Sequence, residues 1–343
     1  AVEKEKEESI EFNSIEGNEC SIESVTVGKS FKLNLEKISK STIQWENYVI
    51  GVLHNLIVLK KRKIGAFNCK ITSNLPIGAG ISSSSSLICG LISGLNYLNN
   101  LKLGSDEIVD MVSSVEHNFI GLMGGIMDQF TIVNGKKNNL ILLNCQNRKF
   151  EYISSNFNPY KIILINTNVE HNLADSSYNQ RVKECEEALG IINKNENNYK
   201  YLVDVELNIL NKFKDSMNSR VYNRAKFVIE ENKRTHDSSV EISKSNIKEF
   251  GKLMYQSHKG LRKLYEVSCE ELDFLVDFSK SKKEVIGSRM MGGGFGGCTI
   301  NLIRGDYVDD FISSVSKAYL KKFNIEPSPL FVNIGDGVTI KTT

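Results

Sequence analysis

Two short stretches carry residues whose types and spacing suit phosphoryl transfer. In "LPIGAGISSSSSLICGLISGL" (75–95), Gly78 and Gly80 precede five consecutive serines and an apolar run at helical spacing. Glycine lets the backbone turn tightly and approach a ligand with no Cβ in the way. A helix starting near Ser83 presents N–H groups without intrahelical partners and the positive end of its dipole. That combination holds phosphate. Serine hydroxyls add donors, and one can turn a lone pair to Mg²⁺. A flexible Ser linker is the alternative, but linkers have polar, proline-rich or charged flanks, whereas this tract lies between strand-like and helix-like segments. A Walker loop needs GK[ST] at its end, and a Rossmann loop needs a third glycine where this chain has Ser83. Neither fits.

The second stretch is "SVEHNFIGLMGGIMDQF" (114–130). Glu116 falls late on a helical pattern, and Asp128 follows a glycine-rich turn from Gly121 to Gly125. Near a phosphate loop, one carboxylate can anchor Mg²⁺ while the other takes the proton of an attacking hydroxyl. An isolated pair of this kind is more commonly a solvated helix Glu and a turn-capping Asp. A third feature, "GGGFGG" (292–297), reads as a tight hairpin with glycine at positive φ. Such a turn can also offer its N–H groups to an anion.

These groups need elements to hold them. "FNCKITSN" (67–74) alternates, with Phe67, Cys69 and Ile71 on one side, and is expected as a strand. "SLICGLISGLNYL" (86–98) is expected as a helix. Ser105, with Asp106 and Glu107 behind it, reads as the N-cap of a helix running to Ile120 and stopping at Gly121. Strands are expected at 139–145, 150–153, 160–169, 285–291, 298–303 and 330–334. Helices are expected at 178–194, twice within 222–258, and at 269–281 and 307–322. Strands and helices mix throughout, so the class is α/β (α+β). The serine run is the only low-complexity tract, and no internal repeat is present.

Bulk properties narrow the function. The 343 residues are 41% hydrophobic, enough for a sizeable core split over two domains. With 43 Lys+Arg against 41 Asp+Glu the net charge is +2, without the basic face that a nucleic-acid binder needs. The seven cysteines, Cys20, Cys69, Cys89, Cys145, Cys185, Cys269 and Cys298, include no CxxC pair. An odd set of this kind suits reduced thiols in a cytoplasmic protein rather than a disulfide framework or zinc site. No apolar stretch reaches the ~18 residues of a membrane span, and "AVEKEKEESI" (1–10) lacks the apolar core of a signal peptide.

The phosphate loop resembles the "PxGxGLxSSxx" loop of the GHMP small-molecule kinases, and "GGIMDQF" (124–130) resembles the galactokinase signature "CGIMDQF". The resemblance to the galactokinase family extends through "INTNVEHNLADSSYNQRVKECEEAL" (165–189), "RAKFVIEENKR" (224–234), "FGKLMYQSHKGLRKLYEVSCEELDFLV" (250–276) and "SRMMGGGFGGCTINLI" (288–303). It covers nearly the whole chain, with its motifs in the family's order.

The resemblance implies a GHMP fold of two domains, 1–157 and 158–343, with the active site in the cleft between them. It implies a sugar 1-kinase that transfers the γ-phosphoryl group of MgATP to the C1 hydroxyl of galactose. Carried over by motif, Gly78, Ala79, Gly80, Ile81, Ser82, Ser83 and Ser84 bind ATP phosphates. Ser84 and Glu116 are the Mg²⁺ ligands, and Asp128 is the catalytic base. Gly125, Asp128 and Tyr178 contact the sugar, and Gly292, Gly293, Gly294 and Gly296 shape the phosphate site. Asp128 and Gly78–Ser84 are expected from the first domain, Tyr178 and the glycine turn from the second. The implied partners are galactose and ATP, with no nucleic acid and no membrane, for a cytoplasmic monomer. An N-acetylgalactosamine or other hexose kinase of the same fold, or a non-catalytic sugar- and ATP-sensing relative, are the alternatives.

Two departures from the family pattern carry expectations. The loop reads SSSSS where the family has SSSAS, so Ser85 stands for a small apolar residue; little effect is expected. Nothing resembles "GRVNLIGEHTDYNGG", whose Glu, His and Asp grip the sugar and whose Arg stabilises the transferring group. His54, His117, His171, His236 and His258 all fall in other stretches. The gene product is therefore expected to extend upstream of Ala1, or this chain to be a truncated or non-catalytic form, with its first residues at a sheet edge.

Overall fold

Alternation in the first strands decides which face they bury. The computed structural model describes residues 8–76, 80–122, 124–170, 174–196 and 198–342, with the side chains of 170–178 outside that description. β1 (Glu8–Ser14), β2 (Glu19–Ser24), β3 (Lys29–Asn34) and β4 (Phe67–Ser73) form a mixed sheet in the order β1-β4-β2-β3. β1 runs antiparallel to β4 at the sheet's edge, and β4 runs parallel to β2. Phe67, Cys69 and Ile71 of β4 are buried while their neighbours are not, the period-2 pattern of a half-buried strand. Their face shares one apolar core with Val49 and Leu53 of α1 (Glu46–Leu53) and Ile88, Leu91 and Leu95 of α2 (Ser83–Leu98), which Ile108, Met111 and Val112 of α3 (Ser105–Ser114) complete. Gly90 and Gly94 bring α2 close to β1: a Cβ there would stand 2.8 Å from Ile10 and 2.2 Å from Phe12. α4 (Met127–Asn134) follows, then the two-stranded sheet of β5 (Asn139–Leu143) and β6 (Phe150–Ser154).

A second sheet has the order β10-β7-β9-β8, antiparallel throughout, from β7 (Tyr160–Glu170), β8 (Val285–Met290), β9 (Gly296–Arg304) and β10 (Ser328–Phe331). Its helices are α5 (Ala174–Asn193), α6 (Leu207–Lys212), α7 (Ser219–Ser243), α8 (Ile247–Gly260), α9 (Glu270–Lys280) and α10 (Val308–Phe323). Ile163, Ile165 and Ile303 pack on Leu275, Phe311, Val315 and Tyr319 of α9 and α10. On α8, Gly251 meets β8 at backbone distance: a Cβ there would lie 2.2 Å from the Ile286 carbonyl oxygen.

The chain divides into two compact units. One is Ala1–Ile77, Ser82–Tyr152 and Ile334–Thr343; the other is Gly78–Ile81 and Ile153–Asn333. The tail belongs to the first unit because it pairs with the end of α4, Gly337 N–H donating to the Gly135 carbonyl at 2.9 Å and Val338 N–H to Ile132 at 2.9 Å. Gly80 and Ile81 group with the second unit rather than the first, where the sequence reading put them. Three local boundaries also differ from expectation. The last strand ends at Phe331, α5 begins at Ala174, and Gly104 rather than Ser105 is the N-cap of α3, with its N–H donating to Glu107 Oε2 at 3.2 Å. α1 was not picked out because Asn47 and Val49–Leu53 are all buried, and a helix covered on most sides has no polar stripe to mark its period.

Candidate active site

α2 opens at the serine tract. Ser82 is its N-cap, in the left-handed region at φ 58°. The first i→i+4 bond is from Ser86 N–H to the Ser82 carbonyl at 3.0 Å, so the N–H groups of Ser83, Ser84 and Ser85 have no intrahelical acceptor. They form the donor set that the sequence reading expected for phosphate. Gly78 and Ala79 lie outside the described residues. Gly80, at φ +67°, packs by its backbone on the glycine turn: a Cβ on Gly80 would lie 3.7 Å from Gly297 Cα, and one on Gly292 3.5 Å from the Gly80 carbonyl oxygen. Ile81 joins Leu164, Cys298 and Leu330 in an apolar cluster. These contacts draw Gly80 and Ile81 into the second unit, which sequence spacing could not reveal.

The turn itself is built as a hairpin. Met291 N–H donates to the Cys298 carbonyl at 3.0 Å, and Phe295 N–H to Val267 at 2.8 Å. Gly292, Gly294, Gly296 and Gly297 all have positive φ. At Gly294 a side chain is excluded outright, since a Cβ would lie 2.0 Å from the Val267 carbonyl oxygen.

The two carboxylates sit in the first unit on a distorted helix end. α3 passes at Val115 into a π-helical turn, Val115–Ile120, closed by Gly121 N–H donating to the Glu116 carbonyl five residues back at 2.8 Å. Gly121 leaves it at φ 93°. Single π turns of this kind often re-aim a functional side chain. Glu116 is 6% exposed, and the equally buried Ser85 donates its hydroxyl to Glu116 Oε1 at 2.6 Å. Burial pushes the Glu116 carboxyl above its usual range; Ser85 opposes this, the Asp128 charge adds to it, and His117 lowers it. The two acids therefore feel one another.

Asp128 lies half-buried in the first turn of α4. Its neighbour Gln129, 1% exposed, donates from Nε2 to Ser113 Oγ at 2.9 Å and to the Gly125 carbonyl at 3.0 Å. His117 Nε2 lies 2.8 Å from the Gly124 carbonyl. Gln129 and His117 thus fix the turn that aims Asp128, roles that the sequence reading did not assign. The fixed "MDQ" order was a signal for Gln129; for His117 there was none. Gly125 lies in that same turn. Tyr178 falls on α5, with its side chain outside the described residues.

The signature around Tyr178 also contains Arg181 and Glu184, and these are structural. Arg224 of α7, 1% exposed, donates from Nε to Glu184 Oε2 at 3.0 Å, from Nη2 to Glu266 Oε2 at 2.6 Å, and from Nη1 to the Leu264 carbonyl. Arg181 donates to the Tyr265 carbonyl at 2.6 Å and the Glu266 carbonyl at 2.8 Å. The network ties α5 and α7 to the segment after α8.

Glu8, at the start of β1, is a third acid in the first unit. Burial pushes its carboxyl up to about 7, against the pull of the Ser86 hydroxyl. An acid raised in the folded state stabilises the fold below its ordinary value of 4.5 and loses that contribution as pH rises through about 7. Glu8→Gln, neutral at every pH, is expected to exceed the wild type in stability by up to about 3 kcal/mol above that window, and to match it more closely near pH 4.5. Denaturant unfolding at the two ends of the window checks this; identical pH dependence in both proteins rules it out.

Among the described residues no group of three His, Cys, Asp or Glu side chains is placed to hold a metal ion. The oxygen donors present suit Mg²⁺, which takes one or two carboxylates, keeps several waters and leans on substrate phosphates.

Comparison with known proteins identifies the family. The GHMP kinases N terminal domain model matches residues 47–136, and the GHMP kinases C terminal model matches 239–321. A galactokinase of Fusobacterium nucleatum is 41% identical over 294 residues, 85% of this chain and 76% of the relative. One from Clostridium acetobutylicum is 42% identical over 309 residues, 89% of this chain and 78% of the relative. The crystal structure of Lactococcus lactis galactokinase complexed with galactose superposes with a TM-score of 0.91 at 29% identity, covering 97% of this chain and 87% of that one. The chain belongs to the galactokinase family of GHMP kinases. It has the fold of that family, in the class of ATP-dependent sugar kinases. A mevalonate kinase structure, at TM-score 0.59 and 24% identity, shares the fold alone. Among the described residues, no helix is long and apolar enough to cross a membrane.

Proposed function

We propose that this chain transfers the γ-phosphoryl group of MgATP to the C1 hydroxyl of galactose, giving galactose 1-phosphate and ADP. The observation that carries this reading is the acid pair of the first unit, a buried Glu116 bonded to the serine tract and a half-buried Asp128 held by Gln129. Asp128 accepts the C1 hydroxyl proton as the sugar oxygen forms its bond to the γ-phosphorus, and the bond from that phosphorus to the β,γ-bridging oxygen breaks. The serine-tract N–H groups hold phosphate oxygens by charge-assisted hydrogen bonds. Gly80, lacking a Cβ and packed on Gly292 and Gly297, leaves backbone free to follow the phosphates. Ser84 and Glu116 are the residues that would hold Mg²⁺. Bound there, Mg²⁺ would supply positive charge to offset the negative charge that develops on the transferring group. Tyr178 and Gly125 are assigned to the sugar. The same reading makes the chain a cytoplasmic monomer of two GHMP domains.

The test is turnover of the full gene product with galactose, N-acetylgalactosamine and glucose, read as ADP release and sugar phosphate formed. Galactose is expected to be the preferred acceptor. Preference for another hexose overturns the substrate, and nucleotide and sugar binding without turnover overturns the activity.

A further inference from the structure

Ser85 of the serine tract commits its side chain to Glu116. It stands at the third position of α2, 5% exposed, with its hydroxyl 2.6 Å from Oε1 of Glu116, which is 6% exposed. A buried carboxylate is costly to keep charged and is free to rotate unless something holds one of its oxygens. The π-helical turn fixes where the Glu116 backbone lies; it does not fix the plane of the carboxylate. The Ser85 hydroxyl does, because an O–H donor this close to an oxygen anion makes a short, directional bond.

We infer that Ser85 is a positioning residue for the metal: it pins Oε1 of Glu116 so that Oε2 is the oxygen a divalent cation takes. A small apolar residue at this position, as in the SSSAS loop, leaves that orientation to packing alone. Ser85 is therefore not a neutral replacement but an outer partner of a metal ligand. Such partners orient the ligand, and their loss typically lowers metal affinity 10–100-fold. The inference rests on the reading of Glu116 as a Mg²⁺ ligand, and its test separates the two.

The experiment measures ADP binding by calorimetry with and without Mg²⁺, and takes the ratio of the two dissociation constants as the metal's contribution. Three proteins are compared: wild type, Ser85→Ala and Glu116→Gln. Ser85→Ala restores the residue found in the family loop and removes only the hydroxyl. It is expected to bind metal-free ADP as the wild type does and to lose about 10-fold of the metal's contribution. Glu116→Gln is expected to lose most of that contribution. A purely structural role for Ser85 would weaken ADP binding equally in both conditions, which overturns the inference. A wild-type ratio in Ser85→Ala, or a larger one, overturns it too. A wild-type ratio in Glu116→Gln instead overturns the assignment of Glu116 itself.

Discussion

Asp128→Asn is expected to lower the rate of sugar phosphorylation by about 10²- to 10⁴-fold, the range that a positioned general base contributes. The substitution keeps the shape of the side chain and its place in the first turn of α4. The Gln129 bonds to Ser113 and Gly125 that aim the helix start do not involve it. What is removed is the acceptor for the C1 hydroxyl proton. The loss should fall on kcat, with ADP affinity unchanged, since an interaction made only in the transition state lowers kcat and kcat/KM together. Loss of the Asp128 charge should also ease ionisation of Glu116, which that charge disfavours. Single-turnover measurement with galactose and MgATP decides the matter. Phosphorylation by Asp128→Asn within a few-fold of wild type removes Asp128 from the role of base.

The largest expected loss of stability follows from Arg224→Met. Glu184 is 3% exposed and meets the Arg224 guanidinium at 3.0 Å. Removing one partner of a buried pair leaves an uncompensated charge, at a cost of about 3–5 kcal/mol. Arg181 at 3.4 Å and Arg220 at 4.0 Å remain near Glu184, which puts the expected cost at the lower end, about 3 kcal/mol. That corresponds to a fall in Tm of roughly 6–12 °C for a unit of this size. Adding Glu184→Leu removes the stranded charge, and the double variant is expected to recover part of the loss, a coupling that a double-mutant cycle measures. Thermal and denaturant unfolding give both numbers. A cost below about 1 kcal/mol, or no recovery in the double variant, means that the network is not what ties α5 to α7.

Residue periodicity was enough to read most of the secondary structure. β4 lies where alternation put it because one face is buried and the other is not, α2 lies where helical spacing put it, and β7 lies where a continuous apolar run put it, buried on both faces from Ile163 to Thr167. The ends were less legible. The N-cap of α3 is Gly104 rather than Ser105, and α1 is covered so fully that its period leaves no polar stripe. The site was legible where local sequence makes the geometry. A glycine pair before a serine run makes a helix start with unpaired N–H groups, and "GGGFGG" makes a hairpin at positive φ.

By itself, then, the sequence determined the family, the α/β class and the serine tract as a helix start, and it singled out Glu116 and Asp128 as the acids of the proposed site. Motifs of fixed order carry those, and local backbone chemistry makes them. Only the tertiary structure decided which groups touch. It gave the Glu116 carboxylate to Ser85, a substitution expected to matter little, and it turned Arg181 and Glu184 of the signature into parts of a buried ion network. It drew Gly80 and Ile81 to the glycine turn and the tail to α4. The physical reason is common to all four. A hydrogen bond between residues 31 apart, or an ion pair between residues 40 apart, depends on how elements pack, and side-chain spacing along one element holds no information about the face of another.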